Sequence, residues 1–172
     1  LGSLLDWLEE AEFGQKEIEY LRSQKSSTGD QLFKEDFLAW LQNNFDARAI
    51  SLYAMPEGRV DPWNVPIHIV EGPPAIGQII ETGLLNTINY QILIATKAAR
   101  IKQSSRGQLL MEFGLRRAQG LGAIQGTRAA LIGGADFSSN VGGSWAAGFP
   151  PKGTHAHSMV QVFMGLGEGE LA

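Results

Sequence analysis

The 172 residues include no cysteine, 44% hydrophobic and 19% charged side chains, and a mean hydropathy of −0.08. A disulfide framework and a Cys-ligated metal are excluded, and the balance is that expected of a soluble, cytoplasmic chain with no membrane partner. The net charge of −4 conceals an asymmetry: residues 1–71 carry 13 acidic and 6 basic side chains, whereas residues 72–172 carry 5 and 8.

The basic excess of the second part is too small and too scattered for a nucleic-acid surface, which needs a dense Lys/Arg face. Glycine follows the same division, since 14 of the 21 lie from residue 107 onward. Small residues and a mild positive balance let backbone approach an anionic small molecule closely.

In chain order, Leu4, Leu5, Leu8, Ile18 and Leu21 predict an amphipathic helical pattern broken near Gly14. Phe33, Phe37, Trp40 and Leu41 recur at helical spacing and predict a helix over about 30–43. Strands are expected at 49–54 and 66–70, separated by turn chemistry at Pro56-Glu57-Gly58 and Asp61-Pro62. From Pro73-Pro74 a long apolar stretch runs to about Lys102; Gln78, Glu81, Asn86, Asn89, Gln91 and Lys97 interrupt it, which favours a buried helix over a membrane span.

Beyond that helix the rhythm is short strand, glycine-rich turn, short helix. A strand is expected at 109–113, helices at 126–132 and 139–147, and a strand at 151–157 entering a further helix near Ser158. Such alternation predicts parallel strands with helical crossovers, an α/β fold with the opening units of a barrel. A closed barrel needs roughly 250 residues, so only part of one is expected here. The domain reading is therefore 1–71, part of an α+β N-terminal domain, and 72–172, a long helix and the first barrel units. The chain opens on Leu1 and runs out at Leu171-Ala172 without a terminating pattern, as an internal piece of a longer protein would.

Two of the three histidines fall in Gly153-Thr154-His155-Ala156-His157-Ser158, with a glycine and two hydroxyls. Upstream stand Glu112-Phe113-Gly114-Leu115-Arg116-Arg117-Ala118-Gln119-Gly120 and Gly133-Gly134-Ala135-Asp136-Phe137-Ser138-Ser139-Asn140. Arg116 and Arg117 are adjacent, so one can face a site while the other pairs or reaches solvent. An arginine fork suits a carboxylate or phosphate. Phe113 can stack on a flat ring or pack in the core. Ser138, Ser139 and Asn140 precede a helix and can hold an anion, cap the helix, or both. Asp136 can ligate Mg2+ or cap a turn, and the turn is favoured. His155 reads as a lining residue, and His68, on a strand, is given no role.

These three strings, in this order, resemble nicotinate phosphoribosyltransferases, and the resemblance runs from about Leu4 to the end of the chain. It implies a partial α/β barrel of the type II phosphoribosyltransferase kind and an ATP-coupled joining of nicotinate to phosphoribosyl diphosphate, giving nicotinate mononucleotide and diphosphate for NAD biosynthesis. His157 is then the histidine that accepts a phosphoryl group from ATP, a task for which an imidazole nitrogen is a suitable nucleophile. Phe113, Arg116, Ser138, Ser139, Gly153, Thr154 and Ser158 are the implied substrate-binding residues. Mg2+ and ATP are implied as cofactor and co-substrate, and a homodimer as the intact assembly. Serine at position 139, where a carboxylate would repel an acid, implies nicotinate over its amide. The chain alone is expected to be inactive, because later barrel strands and an aromatic lid from the partner subunit are missing. Two other readings stay open: a zinc hydrolase using His155 and His157 as an HxH pair on one strand face, and a truncated homologue without turnover.

Overall fold

A computed structural model describes residues 2–62 and 64–167, and the chain divides into two compact units, Leu1–Asn89 and Tyr90–Ala172.

In the first unit the broken helical pattern becomes two helices, α1 (Gly2–Glu10) and α2 (Gln15–Ser23). Leu4 and Leu8 of α1 lie one turn apart and are buried with Ala47. Ile18 of α2 joins Leu38 and Leu41 of α3 (Glu35–Asn44) in a second cluster, ringed by Phe13, Leu21, Phe33 and Trp40. Helix α3 begins later than its apolar spacing suggested. Residues 25–31 instead close a turn through a Lys25–Gln31 bridge, with Thr28 donating to Asp30 at 2.7 Å. Hydroxyl-to-carboxylate bonds of this local kind compete with helix formation.

The two expected strands are present as β1 (Ser51–Ala54) and β2 (His68–Glu71), an antiparallel pair in the register Ser51 opposite Glu71 and Ala54 opposite His68. Burial pushes the His68 imidazole pKa down, and its Nδ1 is buried without a hydrogen-bond partner. Helix α4 (Pro74–Ser104) follows the long apolar stretch. No helix among the described residues is long and apolar enough to cross a membrane.

The sequence placed the change of architecture at residues 71/72; the compact units divide at 89/90, inside α4. The reason is visible in the packing. Ile76, Ile80 and Leu84, spaced along one face of α4, are buried with Leu4 and Leu8, so the start of this helix completes the first core.

The second unit contains one strand–helix–strand element. Strand β3 (Met111–Glu112) pairs in parallel with β4 (Phe137–Ser138), and α5 (Gly120–Ile132) is the crossover. Helix α5 starts earlier than its glycines suggested. Its buried face is built mostly of small residues, Ala123, Gly126, Thr127, Ala129 and Ala130, with Leu131; a methyl group on Gly126 would make ordinary contact with the Tyr90 ring at 3.4 Å. Helix α6 (Val141–Ala147) is capped by Asn140, whose side chain accepts from the Gly143 N–H, and α7 spans His157–Gly165.

The expected strand at 151–157 is not formed. The Lys152 N–H donates to the Ser138 carbonyl at 3.0 Å, the position of a third parallel strand beside β4, but one hydrogen bond does not make a ladder. His157 therefore opens a helix instead of ending a strand.

Candidate active site

The site is built around the C-terminal ends of β3 and β4. Phe113 leaves β3 with φ −122° and ψ 21°, in the sparsely populated bridge region, and is followed by a 3-10 turn, Gly114–Arg117. Phe113 is 44% exposed. Arg116 and Arg117 are both exposed and carry no hydrogen bond or ion pair among the described residues.

The Glu112 carboxylate turns back under this turn and accepts the Gly114 N–H. A methyl group at position 114 would lie 2.5 Å from the Glu112 Oε1, so any larger residue there would have to displace the carboxylate. The same carboxylate accepts the Ser138 hydroxyl at 2.6 Å and the Thr127 hydroxyl at 3.2 Å. Ser138 is fully buried, and its oxygen also accepts the Asn140 N–H at 3.0 Å. Ser138 therefore braces the strand end, and Ser139, partly exposed, is the serine left facing outward. Asn140 caps α6, as one of its two readings had it.

Asp136 does not cap a turn. Its carboxylate accepts the Leu110 N–H at 2.7 Å and the Lys102 ammonium at 2.5 Å. These two donors, the backbone one foremost, hold its pKa below the usual aspartate range. Asp136 thus ties the start of β3 to α4. Among the described residues no group of three His, Asp or Glu is placed to hold a metal ion. Asp136 is engaged by Leu110 and Lys102, and His155 and His157 do not share a strand face.

The glycine–histidine run is brought to the same strand ends. Lys152 places its ammonium 4.0 Å from the Phe137 ring centroid, a cation–π contact, while its N–H pairs with Ser138. Gly153 lies so close to Ser139 that a methyl group there would meet the Ser139 Cβ at 3.4 Å. Thr154, His155, His157 and Ser158 are exposed. The structure thus gathers Phe113, Ser138, Ser139 and Gly153 around β3 and β4, and no hydrogen bond or ion pair joins His157 to that group. A surface hollow of about 510 Å3 lies along Leu93, Lys97, Arg100 and Ile101 of α4 and includes none of the expected site residues. Sequence reading missed Glu112, Thr127 and Lys152. A signal for the first was present, since Glu112 is a lone carboxylate between Met111 and Phe113 in an apolar strand.

This fold is that of a phosphoribosyltransferase of known structure. The chain matches the crystal structure of human nicotinic acid phosphoribosyltransferase with a TM-score of 0.76 and 34% sequence identity, over 94% of this chain and 32% of that one. Residues 1–89 match the family described as nicotinate phosphoribosyltransferase N-terminal domain, and the chain belongs to that family. It is 42% identical over 155 residues to nicotinate phosphoribosyltransferase of Bacillus subtilis, covering 87% of this chain and 32% of the relative. It is 44% identical over 137 residues to nicotinate phosphoribosyltransferase 1 of Arabidopsis thaliana, covering 78% of this chain and 24% of the relative. The chain therefore spans about a quarter to a third of the length of these relatives.

Proposed function

We propose that this chain supplies the N-terminal domain and the opening of a type II phosphoribosyltransferase α/β barrel to an enzyme that joins nicotinate to phosphoribosyl diphosphate. The observation that carries this reading is the meeting of the arginine-bearing turn, the Ser138-Ser139-Asn140 strand end and the Lys152-Gly153 backbone around one parallel strand pair. In α/β barrels reactive residues collect at such C-terminal strand ends.

In the reaction the pyridine nitrogen of nicotinate attacks C1 of the ribose. The bond from C1 to diphosphate breaks, and its electron pair leaves with the diphosphate. Protein groups position the two reactants and compensate charge. Phe113, exposed at the strand end, is the stacking surface for the pyridine ring, and Arg116 is the donor fork for a carboxylate or phosphate. Ser139, beside Gly153 and Thr154, offers a neutral donor to the nicotinate carboxylate, with Ser158 at the start of α7. Mg2+ would neutralise the charge of the leaving diphosphate.

His157 is the phosphoryl acceptor from ATP in this reading. It stands exposed at the first residue of α7, where free helix N–H groups favour an anion nearby. We place the enzyme in the cytoplasm as a homodimer, with the 172-residue chain inactive by itself.

Two substitutions in the longer enzyme test the assignment. His157→Ala is expected to abolish ATP-stimulated nucleotide formation and acid-labile phosphate incorporation, with the fold retained. His155→Ala is expected to be far milder. Equal loss in both variants, with bound zinc falling in step, would replace this reading with the metal hydrolase.

A further inference from the structure

We infer that Glu112 is a positioning residue for substrate binding, clamping Phe113 and the arginine-bearing turn after it in their working geometry. The inference rests on the phosphoribosyl-transfer reading above for what the turn binds. The clamp itself is argued from the hydrogen bonds alone.

Glu112 closes a ring of side chains from four places in the second unit. Its Oε2 accepts the hydroxyls of Ser138 on β4 and Thr127 on α5. Asn140, the cap of α6, donates its backbone N–H to Ser138 and its Nδ2 to Thr127 at 3.2 Å, completing the circuit. Its Oε1 accepts the Gly114 N–H. An ionised carboxylate is the side chain that accepts from three donors at once; a carboxamide must turn an NH2 group toward one of them.

The consequence falls on Phe113. The carbonyl before it is held by the Ser139 N–H, which donates to the Glu112 oxygen at 3.0 Å. The peptide N–H after it is held by the Glu112 carboxylate. Phe113 is thus fixed on both sides in a conformation that an unrestrained chain rarely adopts. Arg116 lies two residues past Gly114, on the same short turn, and inherits the anchoring. Among the described residues no Lys or Arg pairs with Glu112, so hydrogen-bond donors alone meet its charge.

A KM-against-kcat split in the longer enzyme tests this. Glu112→Gln keeps the shape and removes one acceptor, and is expected to raise the nicotinate KM by roughly tenfold, as loss of one charge-assisted hydrogen bond would. The kcat at saturating nicotinate should change much less. If Glu112→Gln does not fold, Thr127→Val removes a single donor and should raise the same KM by a smaller factor. A folded variant with the wild-type nicotinate KM, or one that loses kcat alone, overturns the inference. If the wild-type enzyme forms no nicotinate mononucleotide, the functional reading fails instead, and tryptic cleavage of the 172-residue chain then decides the clamp. In Glu112→Gln, cleavage after Arg116 and Arg117 should accelerate relative to cleavage after Arg106. Equal acceleration at all three sites overturns it.

Discussion

The two units are held together by different kinds of interior. In Leu1–Asn89 the fully buried side chains are large aliphatics, Leu4, Ile18, Leu38 and Ile80, and no polar residue among those described is buried there. In Tyr90–Ala172 the buried residues are mostly small, Ala98, Ala123, Ala129, Ala130 and Ala135, and all four buried polar residues, Thr127, Ser138, Asn140 and Ser144, belong to this unit. Burying a leucine contributes about 1.5–3 kcal/mol without specifying a direction, whereas a hydrogen-bonded polar group contributes less and fixes geometry. The first unit is therefore a scaffold stabilised by area. The second trades area for placement, and its buried hydroxyls and amide lie directly beneath the residues proposed to meet substrate.

If that contrast is correct, damage to each interior should read out differently. Leu38→Ala in the first unit leaves a cavity in a core with nothing polar to reorganise, and is expected to cost about 2–5 kcal/mol of stability. Urea denaturation of the chain measures it, and the nicotinate KM of the longer enzyme should be unchanged. A raised KM would break the division between scaffold and site.

A smaller loss is expected from Gly133→Ala at the end of α5. The added methyl would lie 2.3 Å from the Ala95 carbonyl oxygen and 2.9 Å from the Ala98 Cβ. Overpacking of this kind costs about 1–3 kcal/mol, because backbone must move. Here the shift also displaces the helix that carries Thr127, so a lowered urea midpoint should be accompanied by a raised nicotinate KM. Stability loss with unaltered KM would show that the second interior is no more site-directed than the first.

The smallest effect belongs to Asp136→Asn; it is present at neutral pH and vanishes in acid. The folded pKa of Asp136 is depressed by the Leu110 N–H and by Lys102, so its contribution is complete at neutral pH. It is lost as pH falls from the ordinary aspartate value of about 3.9 through the lower folded value. Urea midpoints taken from neutral pH down to acid should fall more steeply for the wild-type chain than for Asp136→Asn. Parallel curves would remove Asp136 as the tie between α4 and β3.

Side-chain periodicity carried the helical part of the fold. Leu4 and Leu8, Phe37 and Trp40, and the stretch from Pro74 onward announce their helices because one apolar face must be covered, and that need is written locally. Parallel strands with helical crossovers were also expected from the strand and helix rhythm, with strands at 109–113 and 151–157, whereas the observed partner of β3 is β4, Phe137–Ser138. Boundaries were less legible where glycine was concerned. Gly120 and Gly122 precede the helix expected from residue 126, yet α5 contains both.

For the site, residue types in the two glycine-rich strings pointed to anion chemistry before any contact was known, and their order carried the family resemblance. The sequence by itself determined which segments are helical, where the charge changes sign, and which strings bear the chemistry, because each of these depends on neighbours along the chain. Only the tertiary structure decided that Ser138 faces inward and Ser139 outward, that Asp136 ties α4 to β3, that Lys152 makes a hydrogen bond to β4 without a ladder forming, and that Glu112 closes a ring with Thr127, Ser138 and Asn140. Those outcomes depend on which donors meet which acceptors across 13 to 34 residues of intervening chain, and such pairings are set by packing, not by local pattern.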